Sequence, residues 1–252
     1  MSLKYAYCMV SISPVRAENK DQSEIVTQLL FGEVFQIEEI NDSWCKILTF
    51  YDNYPGWIDV KHFKPLTEKE FNRWMDGVTN EKSIFRNLIT PWGKQRIVKG
   101  SFIPFACDLP FKIGSDEFQL EEAFDEKLSD SIYSIAAEYL NSPYLWGGKT
   151  PFGIDCSGLT QSVFRFLGIN LPRDASQQVE HGLEIDFTEH QSGDVAFFHN
   201  KSGKITHVGI LNGKGDIIHA SGCVRIDNIT KEGIMHSESG ALTHQLSIIK
   251  RY

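Results

Sequence analysis

Cysteine is scarce in this 252-residue chain and is spaced against pairing. Cys8, Cys45, Cys107, Cys156 and Cys223 make an odd number, widely separated and with no CxxC pair. That speaks against a disulfide scaffold or a ribbon-type zinc site and suits a reducing compartment. Long apolar runs are missing too. None approaches the ~18 residues of a membrane-spanning helix, so no membrane span is expected. The opening MSLKYAYCMVSISPV lacks the apolar core and small-residue cleavage site of a signal peptide and alternates like a strand. The expected location is cytoplasmic. Basic charge is also in deficit: 25 Lys and Arg stand against 33 Asp and Glu, a net charge of −8, which disfavours a nucleic-acid partner. Apolar residues, at 41%, and aromatics, at 12%, are plentiful enough for a packed core. The length suggests about two domains.

Residues 1 to 65 read as short strands: YAYCMVSI, EIVTQLLFGEVFQIEEI, WCKILTF and GWIDV. Turn signals at Asn41-Asp42 and Pro55-Gly56 separate them, the pattern of a small barrel. Thr67 and Glu70 have capping-box spacing ahead of Phe71 and Trp74, which predicts a short helix in a linker over 66–79. Residues 80–127 give a second strand-rich stretch, with QRIVKGSFIPFA and FKIGSDEFQLEEAF. From 128 to 252 the pattern becomes α+β. SDSIYSIAAEYL carries Ile132, Ile135, Ala136 and Tyr139 at helical spacing, with Ser129 or Asp130 as the cap. The loop NSPYLWGGKTPFGID follows. Next comes the helix CSGLTQSVFRFLG, with an apolar stripe of Leu159, Val163, Phe166 and Leu167 and a stop at Gly168. DVAFFH, ITHVGIL, DIIHAS and LSIIKRY are strands.

Within GIDCSGL, Cys156 falls in the first turn of a helix. Free backbone N–H groups and the positive dipole end there favour a thiolate, and Ser157 and Gly158 leave the sulfur approachable. A helix-start cysteine without chemistry competes with this reading. A nucleophile needs a base, and two of the eight histidines stand out, His207 in ITHVGIL and His219 in DIIHAS. Asn212-Gly213-Lys214-Gly215 between them is a hairpin signal. Position 207 faces 219 if the turn is centred on residue 213. That requires an odd loop, and the two Cβ atoms would then lie about 5 Å apart. His219 would hold one nitrogen of His207 and leave the other for Cys156, a nucleophile, base and orienter. A zinc site of His207, His219 and Cys223 is the competing arrangement. It has no HExxH and leaves the Cys-Ser-Gly helix start unexplained.

The segment YLWGGKTPFGIDCSGLTQSVFRFLGINLPRDASQQ, with GDVAFFHN, ITHVGIL and IIHASG, resembles the NlpC/P60 family of papain-like cysteine peptidases. The resemblance covers residues 130 to 252. It implies a γ-D-glutamyl peptidase acting on bacterial cell-wall peptides, with Cys156 as nucleophile, His207 as base and His219 as third polar residue. No metal and no cofactor are implied. TQLLFGE and NYPGW resemble the bacterial SH3 domains joined to a subgroup of that family, and VKGSFIPF resembles a second, divergent one. The expected architecture is therefore a papain-like catalytic domain preceded by two small SH3-like β-barrels, over 1–65 and 80–127. Tyr144 becomes an oxyanion or cleft residue and Trp146 a cleft residue. Asp155, Ser157 and Ser176 contact the D-glutamyl portion, with helix capping as the competing role for Asp155 and Ser176. Arg173 is an anion partner or a salt bridge. In the subgroup the first SH3-like domain reads a free amino terminus, and Glu24 with Tyr54 are the candidates here. The expected ligand is L-Ala-γ-D-Glu-diamino acid. An amidase or acyltransferase on the same scaffold, a surface wall-remodelling hydrolase and a non-catalytic wall-binding protein are the rival readings.

Overall fold

The computed structural model of the chain describes residues 4–106, 109–121 and 131–252. The chain divides into two compact units, Met1–Lys127 and Leu128–Tyr252. In the first, β1 (Tyr5–Cys8), β2 (Ile12–Arg16), β3 (Ile25–Leu30), β4 (Val34–Asn41), β5 (Trp44–Thr49), β6 (Pro55–Asp59) and β7 (Phe63–Leu66) form one antiparallel sheet. Its order is β3-β2-β6-β5-β4-β1-β7. Gly32, at φ +78°, breaks the long EIVTQLLFGEVFQIEEI run into β3 and β4, a conformation that favours glycine. Phe35, Ile47, Ile58 and their neighbours form a buried core in this sheet.

The predicted linker helix is α1 (Glu68–Met75). The Thr67 hydroxyl accepts from the Glu70 N–H at 3.3 Å, and the Glu70 carboxylate accepts from the Thr67 N–H at 2.8 Å. Two otherwise unsatisfied donors are paired in this way. The helix buries Phe71 and Trp74, and the Trp74 indole donates to the Gly32 carbonyl at 2.9 Å. After it, β8 (Val78–Asn80), β9 (Phe85–Thr90), β10 (Gly93–Val98), β11 (Phe102–Pro104), β12 (Phe111–Ile113) and β13 (Asp116–Leu120) form a sheet in the order β10-β9-β13-β12 and a β11-β8 pair. Leu88, Ile97, Phe102 and Phe118 share a cluster with Tyr7, Phe31, Leu66 and Trp74, so the second strand set packs onto the first.

In the second unit, α2 (Ile132–Ala137) is capped by the Ser131 hydroxyl, which accepts from Ser134 N–H at 3.2 Å. The caps expected from sequence, Ser129 and Asp130, lie outside the described residues. Then come β14 (Lys149–Thr150), β15 (Gly153–Ile154), α3 (Cys156–Arg165) and α4 (Ala175–Gln178). The remaining strands are β16 (Leu183–Ile185), β17 (Ser192–His199), β18 (Ile205–Asn212), β19 (Asp216–Ser221), β20 (Cys223–Ile229), β21 (Gly233–Met235) and β22 (Leu242–Arg251). The sheet order is β16-β22-β17-β18-β19-β20-β21, and β21 also pairs with β22, so six strands close into a ring. Side chains alternate between the two faces. Val195, Phe197, Val208, Ile210 and Ile218 pack with the helices. Phe198, Leu211, Ile217, Ile234 and Ile249 fill the other side.

Two sequence expectations are corrected here. Helix α3 is buried at every position from Cys156 to Phe164, so it has no single stripe. Phe164 joins Leu159 and Val163 in the core, whereas Leu167 is 40% exposed. The helix ends at Arg165 and Gly168 turns the chain at φ +77°, which leaves Leu167 in the turn. The second correction is register. His219 lies opposite Gly209, and Leu211 opposite Ile217, so the β18–β19 turn is centred on residue 214, not 213. The Asn212 side-chain oxygen accepts from Lys214 N–H at 2.7 Å and from Asp216 N–H at 2.9 Å, which closes the loop one residue later. The loop is still odd. His207 and His219 still share a face, but as diagonal neighbours.

Candidate active site

Cys156 is the first residue of α3, and Asp155 is its N-cap. One Asp155 oxygen accepts from the Gly158 N–H at 2.6 Å and the other from the Gly147 N–H at 2.8 Å. Arg173 approaches both oxygens, at 3.0 and 2.5 Å, and also donates to the Ser157 hydroxyl at 2.9 Å. Of the two roles that the sequence allowed, Arg173 is a salt bridge. It is 1% exposed, as buried as any core residue. A planar, bidentate guanidinium–carboxylate pair suits such a dry position. The Ser157 carbonyl accepts from Thr160 Oγ1 at 2.9 Å and Gln178 Nε2 at 3.1 Å, which ties the start of α3 to α4. Glycine is required where backbones touch: a Cβ on Gly158 would sit 2.2 Å from the Gly148 carbonyl oxygen.

The thiol is 7% exposed. Burial first, then the Asp155 charge, pushes it up to about 12, against the opposing pull of the Val208 and Ser157 N–H groups and of Arg173. The sequence reading of a thiolate held by the helix end is therefore corrected: desolvation outweighs the dipole, and the resting group is a neutral thiol. The Val208 N–H contact sets the sulfur beside the strand residue that follows His207.

His207 Nε2 and His219 Nδ1 are 2.8 Å apart, and His219 Nε2 lies 3.0 Å from Asp227 Oδ2. Asp227 is 2% exposed. Burial pushes its carboxyl up, but the Ser237 N–H, His219, the Ser237 hydroxyl and Arg225 together hold it down at about 2. An ionised carboxylate only accepts. His219 Nε2 must therefore carry the proton, its Nδ1 must accept, and His207 Nε2 must donate. That assigns the lone pair of His207 to Nδ1, the nitrogen left for a thiol proton. Burial also drives His207 well below its ordinary value and His219 to about 4, so both rings rest neutral. Gly209 makes the histidine contact possible: a Cβ there would lie 2.9 Å from His219 Cβ.

Tyr144 is half-buried, and burial, followed by the neighbouring Cys156 and Asp155 groups, raises its phenol to about 12. Its N–H donates to the Gly222 carbonyl at 2.9 Å. Trp146, in the same loop, is 60% exposed. Ser176 is exposed in α4, where Asp174 takes the N-cap position, so its competing role as a cap is removed. Glu24 and Tyr54 belong to the first unit. Glu24 is exposed just before β3, and Tyr54 is half-buried just before β6.

Asp227, Arg225 and His244 were missed from sequence. Arg225 pairs with Asp227 at 2.9 Å. The His244 ring stacks on His207 with centroids 4.1 Å apart and planes 22° apart. The signal for Asp227 is an acid inside the alternating run CVRIDNI. Among the described residues, the histidines grouped closely enough to hold a metal are His207, His219 and His244, and Cys223 is not with them.

Residues 141–242 match the NlpC/P60 family, and residues 15–63 match the bacterial dipeptidyl-peptidase Sh3 domain. A γ-D-glutamyl-L-lysine dipeptidyl-peptidase of Bacillus cereus is 25% identical over 87% of this chain and 75% of its own. A protein of the same name from Bacillus subtilis is 28% identical over 78% of this chain and 72% of its own. The fold is that of a crystallised NlpC/P60 family protein from Bacillus cereus, with TM-score 0.79 and 19% identity over 98% of this chain and 99% of that one. With a thiol at a helix start, in contact with the residue after His207, and a carboxylate-anchored histidine pair, these likenesses define the class: the protein is a cysteine peptidase. More narrowly, it has an NlpC/P60 domain over residues 141–242 and, earlier in the chain, a bacterial SH3 domain over residues 15–63.

Proposed function

We propose that this enzyme hydrolyses the γ-D-glutamyl–diamino acid bond of cell-wall peptides with a free L-Ala amino terminus, releasing L-Ala-γ-D-Glu. The diamino acid is Lys or meso-diaminopimelate, and the setting is recycling of murein peptides in the cytoplasm. One observation carries the substrate: two relatives matched along most of this chain are both named γ-D-glutamyl-L-lysine dipeptidyl-peptidase. A dipeptidyl-peptidase counts two residues from a free terminus. In this reading the free ammonium is itself recognised, and a charged hydrogen bond to it contributes about 1.5–3 kcal/mol. The papain-like arrangement of the catalytic domain, and a second, divergent SH3-like domain over 80–127, belong to the same reading.

Cys156 attacks the γ-carbonyl as His207 Nδ1 takes the thiol proton. Because both groups rest neutral, this transfer is driven by the bound substrate. The new imidazolium keeps its Nε2–H on His219, whose own proton faces the Asp227 carboxylate. The positive charge is therefore met by a fixed anion and no solvent needs to reorganise. The Cys156 N–H and the Tyr144 hydroxyl hold the oxyanion. Ser157 and Ser176 hold the D-glutamyl group, Asp155 and Arg173 fix the start of α3 beneath them, and Trp146 lines the cleft. His207 returns the proton to the leaving amine, and water then releases the dipeptide.

The test is a rate comparison on L-Ala-γ-D-Glu-L-Lys, its meso-diaminopimelate counterpart and their N-acetyl derivatives, with products read by mass spectrometry. The free-amine peptides should be cleaved roughly ten- to a hundred-fold better. Equal rates on acetylated peptides, or on intact peptidoglycan, would favour a wall-remodelling hydrolase.

A further inference from the structure

We propose that His207, His219 and His244 form an inhibitory binding site for a late first-row divalent cation of the Zn2+ class. Each ring offers one nitrogen, and the three nitrogens lie within 4.8 Å of one another. A tetrahedral zinc ion holds imidazole nitrogens at about 2.0–2.1 Å, which sets ligand nitrogens roughly 3.3 Å apart. The 2.8 Å His207–His219 contact has only to open slightly. Imidazole is a favoured ligand for this part of the metal series. A metal-bound histidine normally donates its second N–H to a carboxylate. His219 already does so: its Nε2 is 3.0 Å from Asp227, which is itself fixed by Ser237 N–H at 2.8 Å. His244 supplies the third ligand and the way in, with its Nδ1 3.0 Å from Thr243 Oγ1. It is half-buried on β22, next to the exposed Thr243. Its ring is stacked on His207, so the lone pairs do not yet converge, and it must turn out of the stack to bind.

The consequence for the peptidase follows from proton bookkeeping. The proton between His207 and His219 sits on His207 Nε2. A cation entering between the rings takes the lone pairs of His207 Nε2 and His219 Nδ1, and His207 keeps its proton by moving it to Nδ1. No proton is gained or lost. Nδ1–H can no longer accept from Cys156, so the nucleophile has no base. Water completes the metal's coordination. The site belongs to the catalytic histidines, yet it works against the reaction.

The experiment uses the full chain with Cys156→Ala, freed of metal by chelation, so that no thiolate contributes. Equilibrium dialysis against Zn2+ should give one bound ion per chain, and Co2+ in its place should give the visible bands of a four-coordinate nitrogen site. His244→Phe in the same background keeps a flat ring on His207 and removes the ligand. It should weaken Zn2+ binding roughly tenfold or more. His244→Gln, checked for folding by circular dichroism, should do the same without the stack. In the Cys156 protein, Zn2+ should stop peptide cleavage and EDTA restore it. The inhibitory concentration should rise by a similar factor in His244→Phe, each protein being scaled to its own metal-free rate. Absence of bound Zn2+ in Cys156→Ala, or undiminished binding in both His244 variants, overturns the proposal. The binding arm needs no substrate, so its failure and a failure of the peptide reading are separate results.

Discussion

Replacing Asp227 with Asn tests the tautomer assignment directly. Asp227 is met by His219 Nε2 at 3.0 Å on one oxygen, with Arg225 Nε in ion-pair contact at 2.9 Å, by Ser237 N–H at 2.8 Å and Arg225 Nη2 at 3.0 Å on the other, and by the Ser237 hydroxyl. Asn must turn its NH2 toward one of these pairs. Neither a peptide N–H nor a guanidinium can become an acceptor, but an imidazole can. The NH2 therefore goes to His219, whose Nε2 loses its proton to Nδ1. His207 Nε2 must then accept, and its Nδ1 carries the proton, so the base is absent in the resting enzyme. Loss of orientation of this kind costs about 10⁴ in the serine peptidase triad, so about 10²–10⁴ in kcat is expected here. Stability should fall by roughly 2–3 kcal/mol, because the native carboxyl is held below its ordinary value. Steady-state release of Lys from L-Ala-γ-D-Glu-L-Lys gives kcat. Nitrogen-15 spectra of labelled histidine report which ring nitrogen is protonated. A folded Asp227→Asn enzyme within a few-fold of the parent rate, or with His207 still protonated at Nε2, would refute the relay.

Cys156→Ser should abolish turnover with the fold intact, while Ser or Ala at Cys8, Cys45 or Cys223 should not; the same peptide assay decides. Arg173→Met leaves the buried Asp155 carboxylate without its partner and should cost about 3–5 kcal/mol in urea unfolding, whereas a loss below 1 kcal/mol would mean that the pair is incidental. Gly209→Ala puts a methyl against Ile217 and His219 and should destabilise by about 1–3 kcal/mol while lowering kcat more than it changes KM; an unchanged kcat would show that His219 has slack. Acid should weaken the catalytic unit earlier than carboxylates alone require. His219 is at about 4 in the folded chain, chiefly through burial, against an ordinary 6.5, so the unfolded chain binds the extra proton. Its stabilisation is complete above 6.5 and is lost as pH falls toward 4, a loss on the order of 3 kcal/mol. A urea midpoint that is flat from pH 7 to 4.5 contradicts this.

Much of the site was legible because its parts are local. Asp155-Cys156 at a helix start, the capping box at Thr67 and the stop at Gly168 each lie within a few residues of chain, where backbone geometry is decided by near neighbours. The shared face of His207 and His219 was also readable, since an odd loop fixes side-chain parity. The register was not. It depended on Asn212 folding back onto two N–H groups, which makes it a strand end and not a turn residue. Asp227 and His244 were out of reach for another reason. They arrive on β20, which pairs with the His219 strand, and on β22, which reaches the His207 strand across β17. Nothing near position 244 announces a ring stacked on residue 207. The direction of the Cys156 shift was misread because a dipole can be inferred from sequence, whereas the depth of burial that opposes it cannot.

The β18–β19 hairpin bears on how relatives of this enzyme should be sought. The two histidines are separated by 12 positions, and their contact depends on His219 facing Gly209 across the strands. An extra residue at the tip, among 213–215, lengthens the interval without moving either ring, because the ladder below the tip is untouched. An extra residue between 207 and 211 preserves no such contact: it rotates His207 to the helix-packed face. A search for a fixed histidine interval would therefore discard working enzymes with longer tips and retain broken ones whose insertion in the strand is offset by a shortened tip. The diagnostic pattern is His-x-Gly in one strand against His in the next, whatever the length of the connection.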